Sequence, residues 1–405
     1  MKLFQALTFL VVAGVARAQD LAVRAERVHT VSGAVIENGV VLVRGGKIAA
    51  VGKAADVAVP AGLRVLTAKV AMPGLVDAHS VVGLAGYLNQ PQDQDQKDPT
   101  APIQPELRAI DAYNARERLV EWVRGFGVTT IHTGHAPTAL ISGQTLVAKT
   151  RGDSVDEAVI VPCAMIAATL GADSRDEGPG KSPGTAAKQL ALLREAFLGA
   201  QDHQKKLAAA GSDASKKPDR DLRKEALIEV LEKRVPLLVT AQRHQDISSA
   251  LRLAKEFGFR LVLDGASEAY VVLDELAAAG VPVIAHAPMA RFAGELENAS
   301  RSTPLKLRDA RIPFAFQSGY EAYVPKTRVV LYEAAVAAAS GLGFDGALRA
   351  ITLDAARILG LEKRLGSLEV GKDGDLALYD GDPFEYTTHC IATVIEGVVV
   401  FEGGR

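Results

Sequence analysis

The chain has 405 residues, of which 48% are hydrophobic and 23% are charged, a composition that excludes a disordered or fibrous protein. The 46 Lys and Arg and the 48 Asp and Glu are mixed along the sequence and give a formal net charge of −2. This balance argues against a nucleic-acid-binding protein and against a polybasic membrane-surface protein. We therefore expect a small-molecule ligand or another protein as the partner, with no nucleic acid and no membrane.

The first residues have the form of an export signal. Lys2 gives a short basic start, residues 3–15 are apolar, and Ala16 and Ala18 stand where signal peptidase requires small side chains. The apolar run is too short to span a bilayer, which argues against a membrane anchor. We predict a signal peptide over residues 1–18 and a mature protein that is periplasmic or secreted.

The pattern of apolar residues differs between the two ends of the chain and its middle. Residues 21–70 and 375–401 contain short β-type runs separated by turn signals, as in a hairpin meander. In the middle, strand-like runs alternate with amphipathic helices at residues 109–126, 246–257, 268–279, 328–341 and 347–359, the pattern of a parallel βα barrel. The eight predicted strands are 71–77, 128–132, 145–149, 158–166, 236–242, 260–264, 282–286 and 312–317.

Three phrases resemble the amidohydrolase superfamily. MPGLVDAHSV at residues 72–81 resembles its first-strand motif PGLIDxHxH, and GSLEVGKDGD at residues 366–375 is similar to its phrase GSxExGKxAD. ITLDAARILG at residues 351–360 resembles TxNPARxLG, and the likeness is nearest to the imidazolonepropionase-like branch. The resemblance implies the fold class α/β: a (β/α)8 TIM-like barrel at residues 71–360, with a small composite β-sandwich built from residues 19–70 and 361–405.

The resemblance also implies a metal site at the carboxyl ends of the strands. The family places two histidines on strand one, a carboxylate or carboxylated lysine after strand four, histidines after strands five and six, and an aspartate after strand eight. Bound metals there activate a water molecule for attack on an amide or ester carbon. This chain keeps only His79, and its fourth strand offers neither lysine nor carboxylate. The other positions fall on Val81, Thr240, Gln242, Gly265 and Gly319.

A metal site needs three or four donors, so His79 alone cannot hold a metal usefully. We therefore predict no catalytic residue, no metal ligand and no cofactor. His79 is either a residual ligand or hydrogen-bonding group in the barrel mouth, or a buried histidine satisfied by its neighbours.

A second set of residues at the same ends of the strands offers an alternative metal site. His132 and His135 follow strand two and His286 follows strand seven, so that with His79 and Asp264 they could form a relocated metal site, with zinc as the candidate metal. The polar residues that follow strand ends make up the predicted ligand pocket: His79, His132, His135, Gln242, Asp264, His286 and Gln317.

Three functions are compatible with these patterns. The first is an exported amidohydrolase-family protein without metal-dependent activity, which binds a small ligand or pairs with an active relative. Such a protein would form a homo-oligomer, or a hetero-oligomer with the active relative. The second is an active hydrolase of cyclic amide or other non-peptide C–N bonds, with a relocated or single metal. The third is a purely structural subunit. Metal content separates the second from the others.

Overall fold

The computed structural model describes residues 20–176, 178, 181–286, 288–320 and 329–403, so the predicted signal peptide lies outside the described residues. Strands β1 to β17 are, in chain order, Leu21–Val28, Ile36–Arg44, Lys47–Lys53, Arg64–Pro73, Leu75–Ser80, Val128–Thr133, Ile141–Gln144, Leu146–Lys149, Val159–Val161, Ile166–Thr169, Leu237–Ala241, Leu261–Gly265, Val283–Ala285, Phe314–Phe316, Leu376–Tyr379, Cys390–Ile395 and Val398–Glu402. Helices α1 to α11 are Ala109–Ala112, Arg118–Arg124, Val155–Ala158, Ala186–Ala210, Leu222–Leu231, His244–Phe257, Leu273–Ala279, Thr303–Asp309, Val330–Ala337, Phe344–Ala350 and Leu353–Ile358.

The two ends of the chain build one sheet together. Its strand order is β17-β16-β15-β4-β1-β2-β3, and β4 joins the halves because it pairs parallel with β1 and antiparallel with β15. Alternate apolar side chains from both halves, such as Val23, Val41, Leu376 and Val394, share one buried core. The terminal segments thus share one continuous hydrogen-bonded sheet, whereas a sandwich has two.

The middle of the chain is an α/β fold with mixed sheets. Strands β10 to β14 lie parallel in a six-stranded sheet of order β14-β13-β12-β11-β10-β7, and a second sheet has the order β5-β6-β8-β9. Alternate residues of both sheets, including Val76 of β5 and Leu238 of β11, pack into one apolar cluster. A parallel bridge also pairs Ser80 with Gly319, three residues beyond β14.

The predicted third strand, residues 145–149, is not parallel to its neighbours. It forms as β8, which pairs antiparallel with β6, while β7 just before it pairs antiparallel with β10. A parallel pair requires a long crossover connection, usually a helix. The connection from Thr133 to Ile141 contains no helix, so the chain turns back and β8 runs antiparallel beside β6. The expectation of eight parallel strands is wrong at this position.

Several predicted elements are displaced or divided. The fourth strand, predicted at residues 158–166, forms as the short β9 and then β10, which ends three residues later than predicted. The helix predicted at 109–126 divides into α1 and α2, and that at 347–359 into α10 and α11. Tyr113 and Ile351 leave the helical conformation at these breaks. Among the described residues, no helix combines the length and the apolar character needed to cross a membrane.

A buried group of charges joins the middle of the chain to the terminal sheet. Lys149, the last residue of β8, has a side chain only 3% exposed, and its Nζ contacts Asp373 at 3.1 Å and also Asp375. Asp373, which is fully buried, also forms salt bridges with Arg364 at 2.9 Å and with Lys47 at 2.5 Å. Both aspartates belong to the phrase GSLEVGKDGD, so this phrase holds the two parts of the protein together by neutralising a buried lysine.

The same charges make stability depend on pH in the acid range. Burial by itself would raise the pKa of Asp373, but Lys149, Lys47 and Arg364 lower it to about 2 from its ordinary value of 3.8. A lowered carboxyl pKa stabilises the fold above the unfolded value, and this contribution, about 2 kcal/mol, is lost as the pH falls from 3.8 towards 2. We expect the urea midpoint of Asp373→Asn to be lower than that of the wild type at neutral pH and to fall less on acidification. Parallel curves for the two proteins would contradict this.

Candidate functional site

The polar cluster forms where the strands end. Leu238, Val262 and Ala315 point into the shared apolar core, so strand alternation places Thr240, Asp264 and Gln317, two residues further along each chain segment, on top of that core. In the register of β11 and β12, Thr240 lies opposite Asp264. His79 joins them from β5, whose pairing with β6 is irregular between Asp77 and Ser80.

Asp264 is the centre of this cluster. Its Oδ1 accepts a hydrogen bond from Gln317 Nε2 at 2.8 Å and contacts His79 Nδ1 at 3.0 Å, and its Oδ2 accepts from Thr240 Oγ1 at 2.6 Å. Burial alone would raise the pKa of the Asp264 carboxyl, but the charge and hydrogen bond of His79, followed by the bonds from Thr240 and Gln317, lower it. The cluster therefore holds a buried carboxylate whose two oxygens are both engaged.

One ring nitrogen of His79 has a polar partner and the other has none among the described residues. Nδ1 faces the Asp264 carboxylate and so carries a proton, whereas Nε2 is buried without a hydrogen-bond partner among the described residues. Burial lowers the pKa of His79, but the charge and hydrogen bond of Asp264 and the charge of Asp77 outweigh this effect and raise it. A buried nitrogen without a partner costs free energy, so Nε2 is the unsatisfied polar atom of His79.

His132 lies beside His79, with 5.4 Å between the ring centroids, but it is fully satisfied. Its Nδ1 donates to the carbonyl oxygen of Ala78 at 2.6 Å, and its Nε2 lies 2.6 Å from Thr145 Oγ1. Burial and then the charge of His79 lower the pKa of His132 to about 3. His132 is thus a neutral structural histidine that holds β6 against β5.

Asp77 is a charged member of the site that the sequence analysis did not single out. Its Oδ1 accepts from the main-chain N–H of Ser318 at 2.9 Å, and from that of His79 at 3.4 Å. Burial raises the pKa of the Asp77 carboxyl to about 6, against these hydrogen bonds. The position of an aspartate two residues before the motif histidine was the available signal for its proximity to the site.

The position of the second motif histidine is filled by apolar packing. Val81 is 7% exposed and belongs to a small cluster with Ala85 and Ala136, against which Tyr320 packs. An imidazole at residue 81 would therefore replace an apolar side chain in apolar surroundings.

The position predicted for a histidine after strand six is filled by a neighbour. Gly265 has φ of +74°, and a Cβ atom there would lie 2.4 Å from Gln242 Nε2. Gln242 itself turns towards the segment after β12, where its Oε1 accepts from the main-chain N–H of Ser267 at 3.3 Å. No larger side chain fits at residue 265 unless Gln242 moves.

The predicted pocket is therefore only partly assembled. His79, His132, Asp264 and Gln317 come together. Gln242 and His286 instead lie around Gly265, where the His286 main-chain N–H donates to the Gly265 oxygen at 2.7 Å beside a cavity of about 20 Å³. His135 lies apart: its Nδ1 would be 3.0 Å from a Cβ on Gly143, and burial lowers its pKa against the charges of Asp98 and Asp95.

Comparison with known proteins shows a similarity to amidohydrolases. A family model described as amidohydrolase family matches residues 320–401. An amidohydrolase from Thermotoga maritima MSB8 is 28% identical over 95% of this chain and 100% of its own, with a TM-score of 0.89. This likeness to an amidohydrolase extends over nearly the whole chain.

Two solved structures of lower identity share the fold. A Xaa-Pro dipeptidase with bound methionine is 17% identical over 95% of this chain and 100% of its own, with a TM-score of 0.59. An adenosine deaminase from Xanthomonas campestris with bound zinc is 18% identical over 94% of this chain and 92% of its own, with a TM-score of 0.57. At these identities the likeness concerns the fold alone. No curated protein matches the chain significantly.

The donors at the strand ends of this protein do not suit a zinc ion. His, Cys, Asp and Glu side chains of the described residues nowhere form a group of three or more that could hold a metal. Asp264 and His132 already use their donor atoms within the cluster, and His79 Nε2 is a single remaining donor. One imidazole nitrogen gives too little affinity for zinc. The geometry therefore does not bring His79, His132, His135, His286 and Asp264 together as a relocated metal centre.

Proposed function

We propose that this protein is a metal-independent member of the amidohydrolase superfamily that binds a small ligand at the carboxyl ends of its strands. The observation that carries the proposal is the saturation of Asp264 by His79, Thr240 and Gln317. In a metal hydrolase a carboxylate in this region would direct a lone pair at the metal or its bound water. Here both oxygens serve a closed hydrogen-bond network, which supports binding and not water activation.

The ligand we infer carries a hydrogen-bond acceptor. His79 Nε2 is the open polar atom of the cluster, and the raised pKa of His79 favours an N–H at this atom. An amide carbonyl or a carboxylate would satisfy this N–H, and the carboxylate would add charge complementarity. Asp264, itself fixed by Thr240 and Gln317, would hold the imidazole in orientation.

We further propose a closed barrel for the middle of the chain and an exported mature protein. Closure is supported by the hydrogen bonds across the gap between β14 and β5, from Gly319 N to His79 O at 3.2 Å and from Ser318 N to Asp77 Oδ1. Closure would place His79 and Gln317 on adjoining strands at one mouth. Residues 1–18 would be removed on export, and the mature protein could act alone or beside an active relative.

Two measurements on the mature protein test the proposed function. The first is elemental analysis for zinc, iron and manganese after incubation with each metal, for which we expect far less than one ion per chain. The second is the melting temperature in the presence of N-acetylated amino acids and cyclic amides. We expect a concentration-dependent increase for some of these compounds in the wild type and in His135→Gln, but none in His79→Gln. Near-stoichiometric metal, or equal responses of the two variants, would contradict the proposal.

Restoring one motif histidine should not restore a metal site. We expect Val81→His to bind no zinc at equimolar concentration and to show no zinc-dependent amide hydrolysis. The reason is that Gln242, Gly265 and Gly319 still supply no ligand, and the new imidazole would face Ala85 and Ala136. Zinc binding by this variant, measured by elemental analysis, would show that the strand assignments at these positions are wrong.

A further inference from the structure

The face opposite the strand carboxyl ends holds a large groove. It has a volume of about 1410 Å³ and begins where strands β11 to β14 begin, at residues such as Pro236, Arg260, Pro282 and Pro313. Small-molecule pockets usually measure about 300 to 1,000 Å³. The groove is therefore larger than a small ligand requires, and it is separate from the cluster around Asp264.

The groove exists because the terminal sheet covers only part of this face. The sheet contacts the amino end of β5 through the hydrogen bond from Gly74 N to Asp375 O, and it contacts the end of β8 through Lys149. The amino ends of β11 to β14 lack this cover. The floor of the groove is apolar and includes Phe259, Leu261 and Phe314, with Ile358 of α11 at one side.

The rim of this groove is strongly cationic. Six basic residues line it, against two acidic ones, Glu275 and Asp354: the basic residues are Arg252, Lys255, Arg260, Arg308, Arg311 and Arg357. Asp354 is occupied by Arg357 at 2.7 Å and Arg349 at 3.0 Å, and Glu275 accepts from Ser248 Oγ at 2.8 Å.

Four of these cations have no carboxylate partner within the part of the chain that the structure describes: Arg252, Lys255, Arg260 and Arg311. This excess contrasts with the formal net charge of −2 of the whole chain. Unpaired guanidinium groups suit carboxylates because their planar N–H forks match both oxygens.

We propose that this basic groove docks an acidic segment of a partner protein, one in which carboxylate side chains alternate with apolar ones. The rim cations would pair with the carboxylates, and the apolar side chains would cover Phe259, Leu261 and Phe314. The groove lies across the amino ends of four strands, whereas an added strand pairs along the edge of a sheet. Recognition would depend on side chains, and the complex would weaken as salt concentration rises.

The test uses fluorescence anisotropy with a labelled peptide of alternating Glu and Leu, and a peptide of alternating Gln and Leu as its uncharged counterpart. We expect saturable binding of the Glu peptide alone. Binding should weaken by about tenfold or more in Lys255→Glu/Arg311→Glu, because two charge contacts become repulsive. A matched variant, Lys53→Glu/Lys217→Glu, makes the same charge change at exposed lysines outside the groove and should bind as the wild type does.

Several outcomes would overturn the proposal: no saturable binding of the Glu peptide, equal binding of the Gln peptide, or equal loss in both double variants. Equal competition by a single-stranded oligothymidylate or by inorganic tripolyphosphate would show a general anion site and not a site for a protein segment. Self-association of the wild type that is abolished in Lys255→Glu/Arg311→Glu would instead assign the groove to a second copy of this chain.

Discussion

Replacing Lys149 with Met is expected to lower the free energy of unfolding by about 3 to 5 kcal/mol. Lys149 Nζ neutralises Asp373 and Asp375, whose side chains are 0% and 6% exposed. Without this ammonium group, Asp375 keeps no cationic partner among the described residues and remains buried. Urea or thermal unfolding of the purified variant measures the loss.

Lys47→Met is the matched control for this substitution. Lys47 contacts the same Asp373, but its side chain is 51% exposed, so we expect a loss of no more than about 1 kcal/mol. The double variant Lys149→Met/Asp375→Asn should recover part of the stability, because burial already raises the pKa of Asp375 and a neutral amide is tolerated better there. Equal losses for Lys149→Met and Lys47→Met would refute the importance of the buried contact.

The second large effect is expected at the strand carboxyl ends, where Asp264→Ala should cost about 3 to 5 kcal/mol of unfolding free energy. This change leaves His79 Nδ1, Thr240 Oγ1 and Gln317 Nε2 without their shared acceptor in a buried place. The Gln317 amide keeps its second bond, to the carbonyl oxygen of Ile284 at 3.1 Å.

Asp264→Asn is the control because it keeps shape and one acceptor oxygen. That oxygen can still accept from His79 and Gln317, and the Thr240 hydroxyl can rotate to accept from the new amide, so we expect less than half of the alanine loss. If both variants unfolded at the wild-type urea concentration, the cluster would not contribute to stability, and the saturation of Asp264 would not support the proposed function.

Strand alternation made the inner cluster predictable. Asp264 and Gln317 were expected at the carboxyl ends of strands because they follow apolar runs, and they lie together with His79 and His132. Gln242 also follows its strand, yet it faces Ser267 because the glycine at residue 265 leaves room for its side chain. Periodicity gives the end of a strand but not the rotamer of the residue beyond it.

The features that were missed depend on contacts distant in sequence. Lys149 was read as the end of an apolar strand, and its partners lie 224 and 226 residues away, so no local pattern could reveal the buried charges. The direction of β8 was missed because apolar runs carry no direction. The helix-free connection between Thr133 and Ile141 was the signal that could have shown it.

The contact between Gly265 and Gln242 affects how a histidine can be introduced at residue 265. A histidine introduced at residue 265 first would collide with the Gln242 amide and would occupy a backbone position with φ of +74°, so that step alone would be harmful. Replacing Gln242 by a smaller side chain beforehand would remove the collision. Varying residues 242 and 265 together would therefore give a histidine at residue 265 more room than varying residue 265 alone.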